Sequence, residues 1–201
     1  MVTPEDIVAA GTACRRALEP LVDRDWELVA GDLEWTCRFT LTHMLSAALY
    51  YSVNLAARSP ERRNSGQADP TLPLAELVEA LEGRAIVLAE VCRAAPPGAR
   101  GYHSMGMADA SGFAAMGCDE LLIHTDDIMT GLGATFDAPR DVCSRVLARL
   151  FPWAPRDVEP WEGLRWANGR AALGDRSRLA AEWTWHCAPL EEWDGRDPTA
   201  S

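Results

Sequence analysis

Four long stretches of this chain carry apolar residues at intervals of three and four, and no strand-like alternation of any length appears before residue 175. That restricts the chain to helix packed on helix, so the fold class is all-α and the simplest arrangement is a four-helix bundle. The first helix opens with Thr3 as N-cap, Pro4 at its first position and acidic residues in the first turn, and runs to about Val22. The second is CRFTLTHMLSAALYYSVNLAAR, ending near Arg58; the third, LPLAELVEALEGRAIVLAEVCRAA, stops at Pro96–Pro97. After a Gly-containing loop through residue 107, ADASGFAAMGCDELLIHTDDIMTGLG supplies the fourth, with Asp109 or Ser111 near its start and Gly131 or Gly133 beyond its end. Residues 139–151 and PWEGLRWANGRAAL read as shorter helices, and RLAAEWTWHCAPLEEW reads as a tail that can be extended. The chain thus divides into a bundle over residues 1–135 and a helical, Trp-rich extension over 136–201 that packs on it. Six of the eight tryptophans (153, 161, 166, 183, 185 and 193) lie in the extension, where they are expected to anchor the tail across the bundle surface.

Charge narrows the partners. A formal net charge of −11 argues against nucleic acid and against anionic membranes, both of which need clustered basic residues. No basic and apolar leader opens the chain and no apolar run reaches membrane-spanning length, so a cytoplasmic protein, monomeric or homodimeric, is expected. All 19 basic residues are Arg, a bias pointing to a GC-rich source. The six cysteines (14, 37, 92, 118, 143 and 187) form no C-x-x-C pair and read as small buried hydrophobes.

The fourth helix carries the chemistry. Phe113, Met116, Gly117, Glu120, His124 and Asp127 fall on one side of it, an apolar stripe interrupted by three ionisable groups. On the second helix Phe39, His43, Ala47 and Tyr50 form a comparable stripe with one imidazole. In an antiparallel pair of similar length, His43 meets Glu120 and His124 at one level. Two His nitrogens and a Glu oxygen are a three-ligand set for zinc that leaves a fourth position open for chemistry, and Asp127 is placed to accept an imidazole N–H behind them. His103 and His186 are further candidates for ligands or acid/base groups.

Three segments together, GMADASGFAAMGCDELLIHTDDIMTGLG, LEWTCRFTLTHMLSAALYYSVNLAAR and PWEGLRWANGR, resemble the mycothiol-dependent maleylpyruvate isomerase N-terminal domain family, within the DinB/YfiT-like superfamily, over nearly the whole chain. The resemblance implies a DinB-like four-helix bundle binding a divalent metal, usually zinc, through His43, Glu120 and His124. The isomerase that names the family has an additional C-terminal domain, whereas this chain has a short Trp-rich tail. The superfamily's iron-dependent sulfoxide synthases use an H-x-x-x-H pair, which residues 120–124 do not supply. The expected function is that of a zinc-dependent thiol S-transferase: the ion holds a thiolate, mycothiol if the source is actinobacterial, which attacks a small electrophile. The alternatives are mycothiol-dependent cis–trans isomerisation of the maleylpyruvate type, a hydrolase in which the ion activates water, and a non-enzymatic metal-binding stress protein.

Overall fold

Pro4, with its helix-compatible φ, and Asp6, whose carboxylate accepts the Thr3 backbone N–H at 2.9 Å, start α1 (Pro4–Leu18). The computed structural model describes residues 1–180 and 184–199. Helix α1 stops short of Val22, because Pro20 has no N–H to continue the ladder and the chain tightens into a 3-10 turn at Glu19–Leu21. Helix α2 (Cys37–Ala57) begins where the Thr36 hydroxyl accepts the Phe39 N–H at 3.2 Å and ends at Arg58, which adopts a left-handed φ of 48°. Helix α3 (Leu74–Ala94) ends just before Pro96–Pro97. Helix α4 (Ala110–Gly131) is capped by Asp109, whose carboxylate accepts the Gly112 N–H at 2.6 Å.

Helices α1 and α2 each pack on both α3 and α4. Their shared interior contains Ile7, Leu18, Leu41, Leu45, Leu81, Leu88 and Phe113, all fully buried. Each such side chain contributes about 1.5–3 kcal/mol through removal from water. Helices α2 and α4 run antiparallel: Cys37 at the start of α2 reaches the Ile128 carbonyl near the end of α4, and Tyr51, further along α2, has its ring 5.9 Å from that of Phe113 near the start of α4. This is what sets His43 level with residues 120–124.

The expected loop before α4 contains a small antiparallel hairpin, β1 (Arg100–His103) and β2 (Gly106–Asp109), with His103 opposite Gly106. Strands of four residues are too short to announce themselves by alternation. Gly101 lets the hairpin lie against α2, since a Cβ there would stand 2.4 Å from the Asn54 carbonyl oxygen.

Beyond the bundle, α5 (Arg140–Leu150) packs on α4 and on α6 (Pro160–Ala167). Helix α6 is shorter than its sequence pattern, because Gly169 takes a φ of 65° and turns the chain away. The only regular element in the tail, among the described residues, is a 3-10 turn at Leu190–Glu192. Arg149 fastens the tail: 3% exposed, it donates to the carbonyls of His186, Cys187 and Ala188 at 3.0, 3.2 and 2.9 Å and to Asp109 at 2.7 Å. Trp166 is buried, donating to the Ser177 carbonyl at 2.9 Å, with Trp153 stacked edge-on at 5.6 Å; Trp161 lies 5.9 Å from Phe136. Trp193 is half-buried, and Trp183 lies outside the described residues.

All six cysteines are buried and free. Burial pushes the thiols of Cys14, Cys92 and Cys143 up to about 12 and those of Cys37 and Cys187 to about 11, which leaves them protonated and unreactive at neutral pH. No helix among the described residues is long and apolar enough to cross a membrane.

Candidate metal centre

One helical turn separates Glu120 from His124, so α4 presents both side chains in the same direction, toward α2 and His43. The Nε2 atoms of His43 and His124 each lie 3.2 Å from Glu120 Oε2, and ligand-capable atoms of all three residues fall within 4.8 Å of one another. The side chains of Glu120 and His124 are 12% exposed and that of His43 is 33% exposed, so the cluster is closed at α4 and open at His43.

The hydrogen bonding around His124 makes the cluster a fit for a cation. Its Nδ1–H donates to Asp127 Oδ2 at 3.0 Å, so a neutral ring turns the Nε2 lone pair toward the Glu120 carboxylate. Two acceptors at 3.2 Å repel each other unless positive charge stands between them, either a proton or a metal ion. As a proton site, His124 is pulled down by burial but pushed up more strongly by its bonds to Asp127 and Glu120, reaching about 9. Burial would raise Glu120, yet its bonds to His124 and His43 hold it well below the usual carboxylate range. As a metal site, two imidazole nitrogens and one carboxylate form the ligand set of an open zinc centre. The two His–Glu120 separations of 3.2 Å are close to the edge, about 3.3–3.6 Å, of a tetrahedron with metal–ligand bonds of about 2.0–2.2 Å.

Further side chains hold these groups in place. The Tyr51 hydroxyl donates to Glu120 Oε1 at 2.9 Å, and burial together with the Glu120 charge keeps that phenol protonated. Arg170 Nε and Nη2 donate to the two Asp127 carboxylate oxygens, each at 2.9 Å. Burial works to raise Asp127, but His124 and Arg170 keep it lowered. Gly31, with a φ of 52°, brings the connector before α2 against Asp127; a Cβ there would sit 3.3 Å from Asp127 Oδ1. That connector also carries Trp35, whose ring lies 4.8 Å from the His43 ring and 6.0 Å from the His124 ring.

The α2 stripe differs from its sequence pattern. Phe39 is 50% exposed, and the core-facing residues are instead Leu41, Met44, Leu45 and Tyr51. Of the line through Phe39, His43, Ala47 and Tyr50, only Ala47 is buried in the core; His43, Ala47 and Tyr50 border a cavity of about 510 Å³ that Glu120, Arg62, His103 and Trp185 also line. The Arg62 guanidinium lies 5.7 Å from the Tyr50 ring centre and has no carboxylate partner among the described residues. His103 lines this cavity but stands outside the three-residue cluster; His186 is turned elsewhere, with Nε2 3.0 Å from the Pro189 carbonyl oxygen.

Sequence reasoning passed over Tyr51, Trp35, Arg170 and Arg62. Helical spacing held the signal for Tyr51, two turns beyond His43 on α2. The other three come from connectors whose path no local pattern specifies.

Residues 7–129 match the family described as mycothiol maleylpyruvate isomerase N-terminal domain. Two solved structures are similar, the mycothiol-dependent maleylpyruvate isomerase and a histidine-to-alanine mutant of it. Each has a TM-score of 0.55 and 18% identity, with 85% of this chain and 93% of that chain covered. At this identity the likeness shows the fold alone, which with the family match is a DinB-like helical bundle. No curated protein matches the sequence.

Proposed function

Because the chain belongs to the mycothiol maleylpyruvate isomerase N-terminal domain family, we propose that it brings a small thiol of the mycothiol type to a conjugated electrophile bound beside His43, Glu120 and His124. The sequence alone favoured permanent sulfur transfer. Cis–trans isomerisation, by thiol addition, bond rotation and elimination, is the better supported outcome, since the family and both similar structures are named for it. The contrast between a short tail and an additional domain weighs less, because the likeness in fold extends over 93% of the solved isomerase chain.

The observation that carries this reading is the opening of the His/Glu/His cluster into a cavity that also holds an arginine without a carboxylate partner among the described residues. A divalent ion, zinc on this donor set, would be held by His43, Glu120 and His124 and would supply the Lewis acidity that keeps a thiol ionised at neutral pH. Asp127 keeps the His124 proton on Nδ1, leaving Nε2 as a donor atom, and Arg170 fixes Asp127. Tyr51 occupies one Glu120 oxygen and directs the other toward the two imidazoles. Arg62 is suited to the carboxylate of an anionic electrophile, which a protein of net charge −11 otherwise repels. Tyr50 and Trp185 give the cavity aromatic walls that limit access of water to the thiolate.

Incubation of the zinc-loaded protein with mycothiol and maleylpyruvate is expected to yield the trans isomer with mycothiol recovered unchanged, followed by absorbance and mass spectrometry. A stable S-adduct would restore the transfer reading. Neither product, across a panel of conjugated electrophiles, would remove thiol chemistry altogether.

A further inference from the structure

His103 faces the cavity with a ring nitrogen that nothing in the described protein engages. It ends β1, on the hairpin that Gly101 seats against α2, and lines the same cavity as His43 and Glu120. The Met105 backbone N–H donates to its Nδ1 at 3.3 Å, so the neutral ring carries its proton on Nε2. Nε2 has no hydrogen-bond partner among the described residues. The rings of Tyr51 and Trp185 each lie 5.8 Å from the imidazole, and Tyr50 lies 6.3 Å away. Burial among these aromatics lowers the His103 pKa, an effect only partly opposed by the Glu120 charge, and favours the neutral ring. A fixed, neutral N–H donor without an acceptor, in a cavity walled by aromatic rings, is matched to a ligand oxygen.

We propose that His103 is a catalytic residue whose neutral Nε2–H donates a hydrogen bond to the carbonyl oxygen conjugated with the electrophile's double bond. The inference rests on the thiol-addition reading above and narrows its substrate to α,β-unsaturated carbonyl compounds. The thiolate sulfur forms a C–S bond to one alkene carbon, and the π pair moves through the conjugated system onto the carbonyl oxygen, giving an enolate. His103 keeps its proton and stabilises that oxygen by hydrogen bonding. The former double bond, now single, rotates; the enolate pair then returns, re-forms the alkene in the trans geometry and expels the thiolate. No atom, proton or electron is consumed. A neutral imidazole serves this better than an imidazolium, which is acidic enough to hand its proton to the enolate and trap the adduct.

The test compares His103→Phe, which keeps a ring and removes the donor, with His103→Gln, which retains an N–H near the Nε2 position. With mycothiol and maleylpyruvate, the Phe variant should lose about 10²–10³ in kcat, the range for removal of one oxyanion donor. Its KM should stay within about threefold, and the Gln variant should recover most of the rate. Zinc content and the near-ultraviolet thiolate-to-cobalt band produced by mycothiol in cobalt-substituted protein should be unchanged in both, which separates loss of the donor from loss of the metal site. A readout that needs no turnover is ¹⁵N NMR of histidine-labelled protein. His103 should appear as the Nε2–H tautomer over about pH 6–8 and shift when thiol-free protein is saturated with trans-4-oxo-2-pentenoate. Parent-like kcat in the Phe variant would overturn the proposal, as would an Nδ1–H tautomer or a His103 signal unmoved by the enone acid. A parent protein inactive on maleylpyruvate but with the expected His103 shift would instead locate the failure in the isomerase reading.

Discussion

Asp127 decides what His124 can be. By accepting the Nδ1–H it leaves the Nε2 lone pair directed at Glu120, and its own orientation is set by the two Arg170 bonds and by contact with Gly31. On the proposed ligand set, alanine at His43, Glu120 or His124 should abolish stoichiometric zinc, whereas alanine at exposed Glu191 should not. Asp127→Ala should leave zinc bound but weaken it about 10–100-fold, the usual effect of removing a carboxylate behind a ligating imidazole. Elemental analysis and chelator competition measure both, and an Asp127→Ala protein with parental affinity would make Asp127 a purely structural partner of Arg170. The convergence of the three side chains was legible because helical spacing aligns Glu120 with His124 and equal depth along two helices matches His43 to them. Arg170 and Trp35 were not, since each arrives from a connector and its neighbours in sequence say nothing about where it lands.

At the level of elements, periodicity located the helices but not their rotation. One residue of offset turns a helical side chain by about 100°, enough to place Tyr51 in the core and Phe39 in solvent when the sequence pattern reads Phe39 and Tyr50 together. The contact that holds α1 to α5 was equally hidden: Arg145 donates to both Asp6 carboxylate oxygens, at 2.9 and 2.6 Å, across 139 residues of sequence. Burial works to raise the Asp6 pKa, but Arg145 and the Thr3 N–H outweigh it, so the folded value lies below the ordinary one. The stabilisation is therefore fully present above the unfolded pKa, about 3.9, and is lost as pH falls through the lower folded value. Asp6→Asn should cost about 1.5–3 kcal/mol at pH 7, the range for hydrogen bonds to a charged group. The gap in Tm between the two proteins should narrow as the pH is lowered toward about 3. A gap that stays constant over that range would mean that Asp6 acts through packing and not through its charge.

Across the whole molecule, the core runs without interruption from the bundle into α5 and α6, with Val146, Leu147, Leu164 and Trp166 in the same buried cluster as Leu41 and Phe113. We propose residues 1–135 as the bundle and 136–201 as an extension that completes its site, because the extension supplies Arg170 to Asp127 and Trp185 to the cavity wall. The sequence suggested that the tryptophans would hold the tail down; Arg149 does much of that holding through carbonyl groups, a role invisible to composition. Arg149→Met keeps the apolar stem while leaving the carbonyls of His186, Cys187 and Ala188 and the Asp109 carboxylate without their donor. The expected cost is about 2 kcal/mol, or about 4–8 °C in Tm for a chain of this size. Truncation after residue 150 removes Trp166, Arg170 and Trp185 together, so it should lower both Tm and zinc affinity. Arg149→Met, which leaves Arg170 in place, should lower Tm with far less effect on zinc. Calorimetry and chelator competition on the two proteins separate the roles, and a truncated chain with parental stability and parental zinc affinity would show the extension to be an independent appendage.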